Sequence, residues 1–169
     1  NSRYGSYNDI LKQDQTIGDV LGKSTEMQAR ISQLQAKVKD IAKEIPDGQT
    51  AMYGSSRENT LDVHTQDTFA GSLLAALGFK VPQADGGKDI YDIDLEHVLA
   101  MNPDWMFIAH YREESVVRKW AQQPLWKALT VTKKDQLISV DPELWARSRG
   151  LTAAALMVEQ VKAAVEKKR

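Results

Sequence analysis

The sequence contains no cysteine. That excludes disulfides, thiolate nucleophiles and cysteine-ligated metals, and it leaves the compartment open. It has no excess of charge of either sign: 22 Lys and Arg stand against 23 Asp and Glu, a net charge of −1. Such a chain exerts no global pull on nucleic acid, and no nucleic-acid partner is expected. No apolar run approaches the roughly 20 residues that a membrane-spanning helix needs. No glycine-rich loop of the nucleotide-binding kind occurs. The stretch "GSSRE" lacks the Gly-x-Ser-x-Gly spacing of a nucleophile elbow. The three histidines, His64, His97 and His110, have no metal-ligand spacing, so no protein-held metal is expected. What is present is 169 residues, 42% hydrophobic and 27% charged, enough for one globular domain with a core of its own.

The hydrophobic pattern divides the chain near Gly48. Before it, "NDILKQDQTIGDVLG" reads as a helix stopped at Gly22. The next segment, "TEMQARISQLQAKVKDIAKEIPDG", places Met27, Ile31, Leu34, Val38, Ile41 and Ile45 in alternating steps of four and three. That is a long helix with one narrow apolar seam, and Thr25 and Gln28 have capping-box spacing. After Gly48, "TAMYG", "LDVH", "DWMFIAH" and "QLISV" read as strands. Between and after them lie helical patterns: "DTFAGSLLAALG", "DLEHVLAM" capped by Asp94, "EESVVRKWAQQ", "PLWKAL" opened by Pro124, and a last helix from about Leu151. Strands alternating with helices predict an α/β domain, a mostly parallel sheet flanked by helices, preceded by the long N-terminal helix. Trp120 and Trp126 fall on apolar helix faces and read as core. Asp62, Asp67, Asp92 and Asp94 read as caps and turn residues.

This alternation gives the arginines a shared place. Ligands of open α/β sheets bind outside the carboxyl ends of the strands. Arg57 follows "TAMYG", Arg112 follows "WMFIA", and Arg147 with Arg149, in "WARSRG", follow "LISV". All four are expected at one sheet edge. Ser55, Ser56, Ser115 and Ser148 would add hydroxyls there, and His64, Tyr111 and Trp145 flat, polar-tipped surfaces. Arginine is suited to a bidentate grip on carboxylate or phosphate. Glu58, Glu113 and Glu114 stand close enough in sequence to neutralise part of this charge.

At these residues the sequence resembles a known family. "YGSSRENTLDVHTQDTFAGSLLAALGFKVP", "LEHVLAMNPDWMFIAHYREESVVRKWAQQPLWKAL" and "SVDPELWARSRG" are similar to the C-terminal half of ferric-dicitrate-binding members of the siderophore-binding class, the substrate-binding proteins of ABC importers. The resemblance implies two α/β lobes joined by a long helix, with the ligand in the cleft between them. Residues 1–48 would then hold the inter-lobe connecting helix and residues 49–169 the C-terminal ligand-binding lobe. The start at Asn1 rather than Met fits a processed chain or a part of a longer one. The resemblance further implies a ferric siderophore as ligand, citrate being the chelator, with no resident cofactor and no catalytic residues. It implies a periplasmic location, or a lipid-anchored extracellular one in a Gram-positive source. An ABC permease in the inner membrane would be the partner, docked through Glu96. Arg57, Arg112, Tyr111, His64, Trp145, Arg147 and Arg149 would line the ligand wall, with Trp145 as a rigid surface. The long-helix seam would partly face an absent lobe. Two other readings stay open: a small α/β enzyme acting on a phosphorylated or carboxylated substrate through these arginines, with His64 or His110 as general base, and an interaction module built on the long helix.

Overall fold

The computed structural model describes residues 5–83 and 90–168, so the start at Asn1 lies outside the described residues. In chain order the elements are α1 (Tyr7–Val20), α2 (Ser24–Ala42), β1 (Ala51–Ser56), β2 (Leu61–His64), α3 (Phe69–Ala76), β3 (Ile90–Ile93), α4 (Leu95–Met101), β4 (Trp105–His110), α5 (Val116–Trp120), α6 (Thr130–Lys133), β5 (Leu137–Val140) and α7 (Leu151–Lys167). A 3₁₀ turn occupies Pro124–Ala128 and a π-helical turn Glu143–Arg147.

The five strands form one sheet in the order β3-β2-β1-β4-β5. Strands β1, β4 and β5 are parallel, as their alternation with helices predicts. Strand β2 runs antiparallel to β1. Only residues 57–60 separate the two, and a parallel crossover needs a dozen residues or more. Strand β3 pairs antiparallel with β2, so the sheet is mixed. The sequence pattern does not announce β3: three of its four residues, Ile90, Tyr91 and Asp92, are at least partly exposed, as suits an edge strand.

Successive side chains of a strand point to opposite faces, and both faces are covered. Ala51, Tyr53, Trp105, Phe107 and Ala109 join one core with α1, α2, α3 and α7. Met52, Met106 and Ile108 join a second core with residues of α4, α5 and α6 and with Trp126. This is why "WMFIA" is apolar without alternation. Trp105, Phe107 and Trp145 stack in series, at 6.2 Å and 5.4 Å between ring centroids with interplanar angles of 9° and 12°.

The seam of α2 does not face outward. Ile31, Leu34, Val38, Ile41 and Ile45 are all buried in the first core, where α1, α3 and α7 also pack, with Met27 partly buried against it. The expectation of an under-packed seam is corrected: α1 folds back on α2, and α7 covers the rest. Exposed apolar surface lies at the end of α1 instead, at Ile17 (51% exposed), Val20 (81%) and Leu21 (68%). The Thr25–Gln28 capping box is corrected as well. Helix α2 begins two residues earlier than that box requires, at Ser24, with Lys23 in the N-cap position and no side-chain cap. The Ser24 hydroxyl instead accepts from Gln15 Nε2 at 3.0 Å, which ties α2 to α1.

Helix α7 is preceded at the N-cap by Gly150, with φ at +92°, a conformation that favours glycine. Gly150 has no side chain to cap the helix, and the cap comes from far away in sequence. Asp14 Oδ2, on α1, accepts from the Leu151 N–H at 2.8 Å. A carboxylate here satisfies an orphan donor and complements the helix dipole. Asp14→Ala is expected to lower stability by about 1 kcal/mol, and Asp14→Asn by less, as read by urea denaturation.

Candidate ligand-binding edge

The site is built by register. Ser56 of β1 pairs with His110 of β4, so the residues that follow, Arg57 and Tyr111, leave the sheet side by side. The Tyr111 N–H donates to the Ser56 carbonyl at 2.9 Å and the Val116 N–H to the Arg57 carbonyl at 2.7 Å. Both exits are thereby fixed. Strand β5 ends one rung away, with Val140 opposite Ala109, and the π-helical turn that follows carries Arg147 back to the same place. The Arg57 guanidinium carbon lies 5.5 Å from the Tyr111 ring centroid and that of Arg147 lies 5.9 Å from it. Tyr111 thus joins two cations from different strand ends, each contact contributing about 0.5–1 kcal/mol when exposed. Arg149 lies over Phe69, at the start of α3, at 5.4 Å. Its charge and that of Arg57 both reach His64. Four of the expected residues therefore converge: Arg57, Tyr111, Arg147 and Arg149. Arg112 is exposed beside Tyr111, and among the described residues it makes no ion pair or hydrogen bond.

Other expected members take different roles. Trp145 is corrected: it is only 1% exposed and offers no surface to a ligand. Its place on the π-helical turn directs the indole inward, where it stacks on Phe107 and donates from Nε1 to Gln160 Oε1 at 2.7 Å. His64 lies beneath the arginines and is itself buried, its Nε2 3.1 Å from Ser55 Oγ. Burial first, then the charges of Arg149 and Arg57, lower its pKa to about 4. The other hydroxyls serve the fold. Ser56 Oγ accepts from the Val117 N–H at 3.2 Å, Ser115 Oγ lies 2.6 Å from His110 Nδ1, and Ser148 donates to the Glu143 carbonyl at 2.9 Å. Burial, and then the charge of Arg118, hold His110 near 4 also.

The carboxylates that neutralise the arginines are not the three expected. Arg57 Nη1 donates to Asp62 Oδ2 at 2.8 Å, and Arg147 Nη1 to Glu143 Oε1 at 2.6 Å. Arg149 Nη1 donates to the carbonyls of Ala146 and Ser148, which steadies its own loop. Asp62 stands across a four-residue turn from Arg57, and Glu143 stands four residues before Arg147. Both spacings are present in the sequence, but the first signals a pair only once the hairpin is known. Glu96 is exposed in the first turn of α4. Strand β3 runs in the same direction as β1, and Ile93, Leu61 and Ser56 share one level. Glu96 therefore emerges at the arginine edge, two strands from β1, or about 10 Å.

The chemistry available is anion binding. Among the described residues no group of three or more His, Cys, Asp or Glu could hold a metal ion. The Ser55–His64 pair is buried, and among the described residues no carboxylate is seen to orient the imidazole as the third member of a nucleophile–base relay would. No described helix is long and apolar enough to cross a membrane.

The chain folds as an α/β lobe with cations gathered at the strand ends. The sequence profile of the periplasmic binding proteins matches residues 3–144, and the chain belongs to that family. It is 46% identical over 153 residues to the Fe(3+) dicitrate-binding periplasmic protein FecB of Escherichia coli (strain K12), covering 90% of this chain and 51% of that protein. It is 26% identical over 163 residues to the Fe(3+)-citrate-binding protein YfmC of Bacillus subtilis (strain 168), covering 95% of this chain and 51% of YfmC. The chain thus spans about half the length of these relatives. The petrobactin-binding protein YclQ of Bacillus subtilis has the same fold, with a TM-score of 0.80 at 16% identity over 94% of this chain and 59% of YclQ.

The His64 environment predicts a pH dependence. Its pKa falls from an ordinary 6.5 to about 4 on folding, so the unfolded chain binds more protons between those values. Stability is then full above pH 6.5 and is lost as the pH falls toward 4. The loss attributable to His64 is on the order of 2 kcal/mol. Urea midpoints at pH 7 and pH 4.5 should differ less in His64→Gln than in the wild type.

Proposed function

We propose that this chain forms the C-terminal lobe of the substrate-binding component of an ABC importer for a ferric chelate, with iron(III) dicitrate as ligand. The observation that carries the proposal is the convergence of Arg57, Tyr111, Arg147 and Arg149 at one strand edge, in a chain 46% identical over 90% of its length to a ferric dicitrate-binding protein. Arg57 and Arg147 take ligand carboxylates on either side of Tyr111. Arg112 and Arg149 add positive potential, and His64, neutral and buried, shapes the floor. Iron is cargo, held by its chelator, so the lobe supplies charge-assisted hydrogen bonds rather than metal ligands. Residues 49–169 are the ligand-binding lobe, and the helices of residues 1–48 lead into it from the other half. The chain is not an enzyme. It works in the periplasm, or as an extracellular lipoprotein in a Gram-positive source, and Glu96 docks on the permease of the inner membrane.

Ferric citrate titration of the complete two-lobed protein, followed by tryptophan fluorescence, tests this reading. Arg147→Ala should weaken binding by about 2 kcal/mol, the low end for a charge pair desolvated by a closing cleft. Trp145→Phe should leave affinity nearly unchanged and lower stability instead, because it removes a buried stack and the bond to Gln160. Unchanged affinity in Arg147→Ala, or tight saturable binding by this chain alone, would contradict a two-walled cleft. Glu96→Ala should impair uptake by cells and leave ferric citrate affinity as it was, since rim charges serve encounter and register.

A further inference from the structure

The arginines of this edge are partnered by the chain's own carboxylates. Asp62 Oδ2 stands 2.8 Å from Arg57 Nη1, and Glu143 Oε1 stands 2.6 Å from Arg147 Nη1. The two arginines are the same two that flank Tyr111. An end-on bidentate grip on a ligand carboxylate uses both terminal nitrogens of a guanidinium. Each internal pair occupies one of them, so a ligand held that way must displace it.

The two pairs differ in character. Glu143 and Arg147 lie four residues apart on one turn, both well exposed. Asp62 comes from β2, and its carboxylate is the more covered partner: 22% of its side chain is exposed, against 58% for Arg57. Asp92 faces Asp62 across the β2–β3 ladder. Burial, together with the negative charge of Asp92, makes the ionised Asp62 costly, and Arg57 offsets that cost. Asp62 therefore has its own reason to hold Arg57 in the absence of a ligand.

We propose that Asp62 and Glu143 are internal competitors for the ligand and set the specificity of the edge, an inference that rests on reading this edge as the ligand wall. A monocarboxylate gains one arginine by breaking one existing pair, with little net gain. A polycarboxylate chelate replaces both pairs in a single binding event, the second replacement being intramolecular and favoured by its high effective concentration. The two acidic residues thus screen out small monocarboxylates and leave polycarboxylates able to bind.

The test uses the complete two-lobed protein, titrated with ferric citrate and, separately, with sodium acetate. Asp62→Asn and Glu143→Gln should each tighten ferric citrate binding by about threefold, within the range that exposed ion pairs contribute. In the double variant, acetate should compete with ferric citrate at lower concentration than in the wild type. Asp92→Asn, which removes a neighbouring charge that no arginine pairs with among the described residues, should have a smaller effect than Asp62→Asn. In an Arg57→Ala background the gain from Asp62→Asn should vanish. Equal effects of Asp62→Asn and Asp92→Asn would overturn the proposal in favour of a general field, and weaker binding in Asp62→Asn would overturn it in favour of a positioning role. Unchanged ferric citrate affinity in Arg57→Ala and Arg147→Ala would remove the ligand-wall reading and the proposal with it. A drop in those two variants without any gain in Asp62→Asn and Glu143→Gln would overturn the competition alone. Glu143→Gln, on an exposed turn, keeps the test available should Asp62→Asn fail to fold.

Discussion

The parallel pairing of β1 with β4 is the constraint on which the arginine edge depends. It sets Ser56 opposite His110, and so makes Arg57 and Tyr111 neighbours at the point where both strands leave the sheet. A slip of one residue would turn every side chain of a strand to the other face, and here it would also part Arg57 from Tyr111. The register is held from below by Tyr53, Phe107 and Trp105, which all point into the same core. It is held from above by hydrogen bonds that continue the ladder past the strand ends. Trp145 links the two levels. Its ring closes the aromatic series within the core, and the turn that carries it delivers Arg147 to the surface.

The electrostatics follow from this arrangement. The cations stand in water or against ring faces, where a guanidinium keeps its charge at small cost. The titratable group beneath them, His64, is kept neutral by burial and by those same cations, so it adds no charge to the floor. Two nearby carboxylates, those of Asp62 and Glu143, are engaged with Arg57 and Arg147. The result is an edge whose positive potential is partly compensated by the chain's own carboxylates. Asp14 fastens the start of α7 to α1, and through α7 the helical pair of residues 7–42 is connected to the arginine-bearing loop.

Much of this was legible in the sequence, and the failures have physical causes. The strands "TAMYG", "DWMFIAH" and "QLISV" and the long seam of α2 were readable because period and composition agree. The placement of Arg57, Arg112, Arg147 and Arg149 after strand ends follows from topology alone. Strand β3 was not readable, because a four-residue, partly exposed edge strand carries little hydrophobic signal. Trp145 reads as a surface from sequence, because a residue in a turn between a strand and a helix ordinarily faces outward; the π-helical turn reverses that and buries it. The pairing of Asp62 with Arg57 needed the antiparallel hairpin, which the general expectation of a parallel sheet concealed. The burial of the α2 seam needed α1 folded back against it, a tertiary fact that no local period encodes.

The site's location can be measured independently of any affinity. Iron(III) in its citrate complex is paramagnetic and broadens the NMR signals of nuclei near it. On titrating the complete protein with ferric citrate, with the diamagnetic gallium complex as the reference, the side-chain signals of Arg57, Tyr111 and Arg147 should broaden together. Those of Lys134 and Gln136, at the opposite end of the strands, should stay sharp. Broadening centred on the opposite strand ends, or on the outer faces of α2 and α7, would contradict a ligand site at the arginine edge.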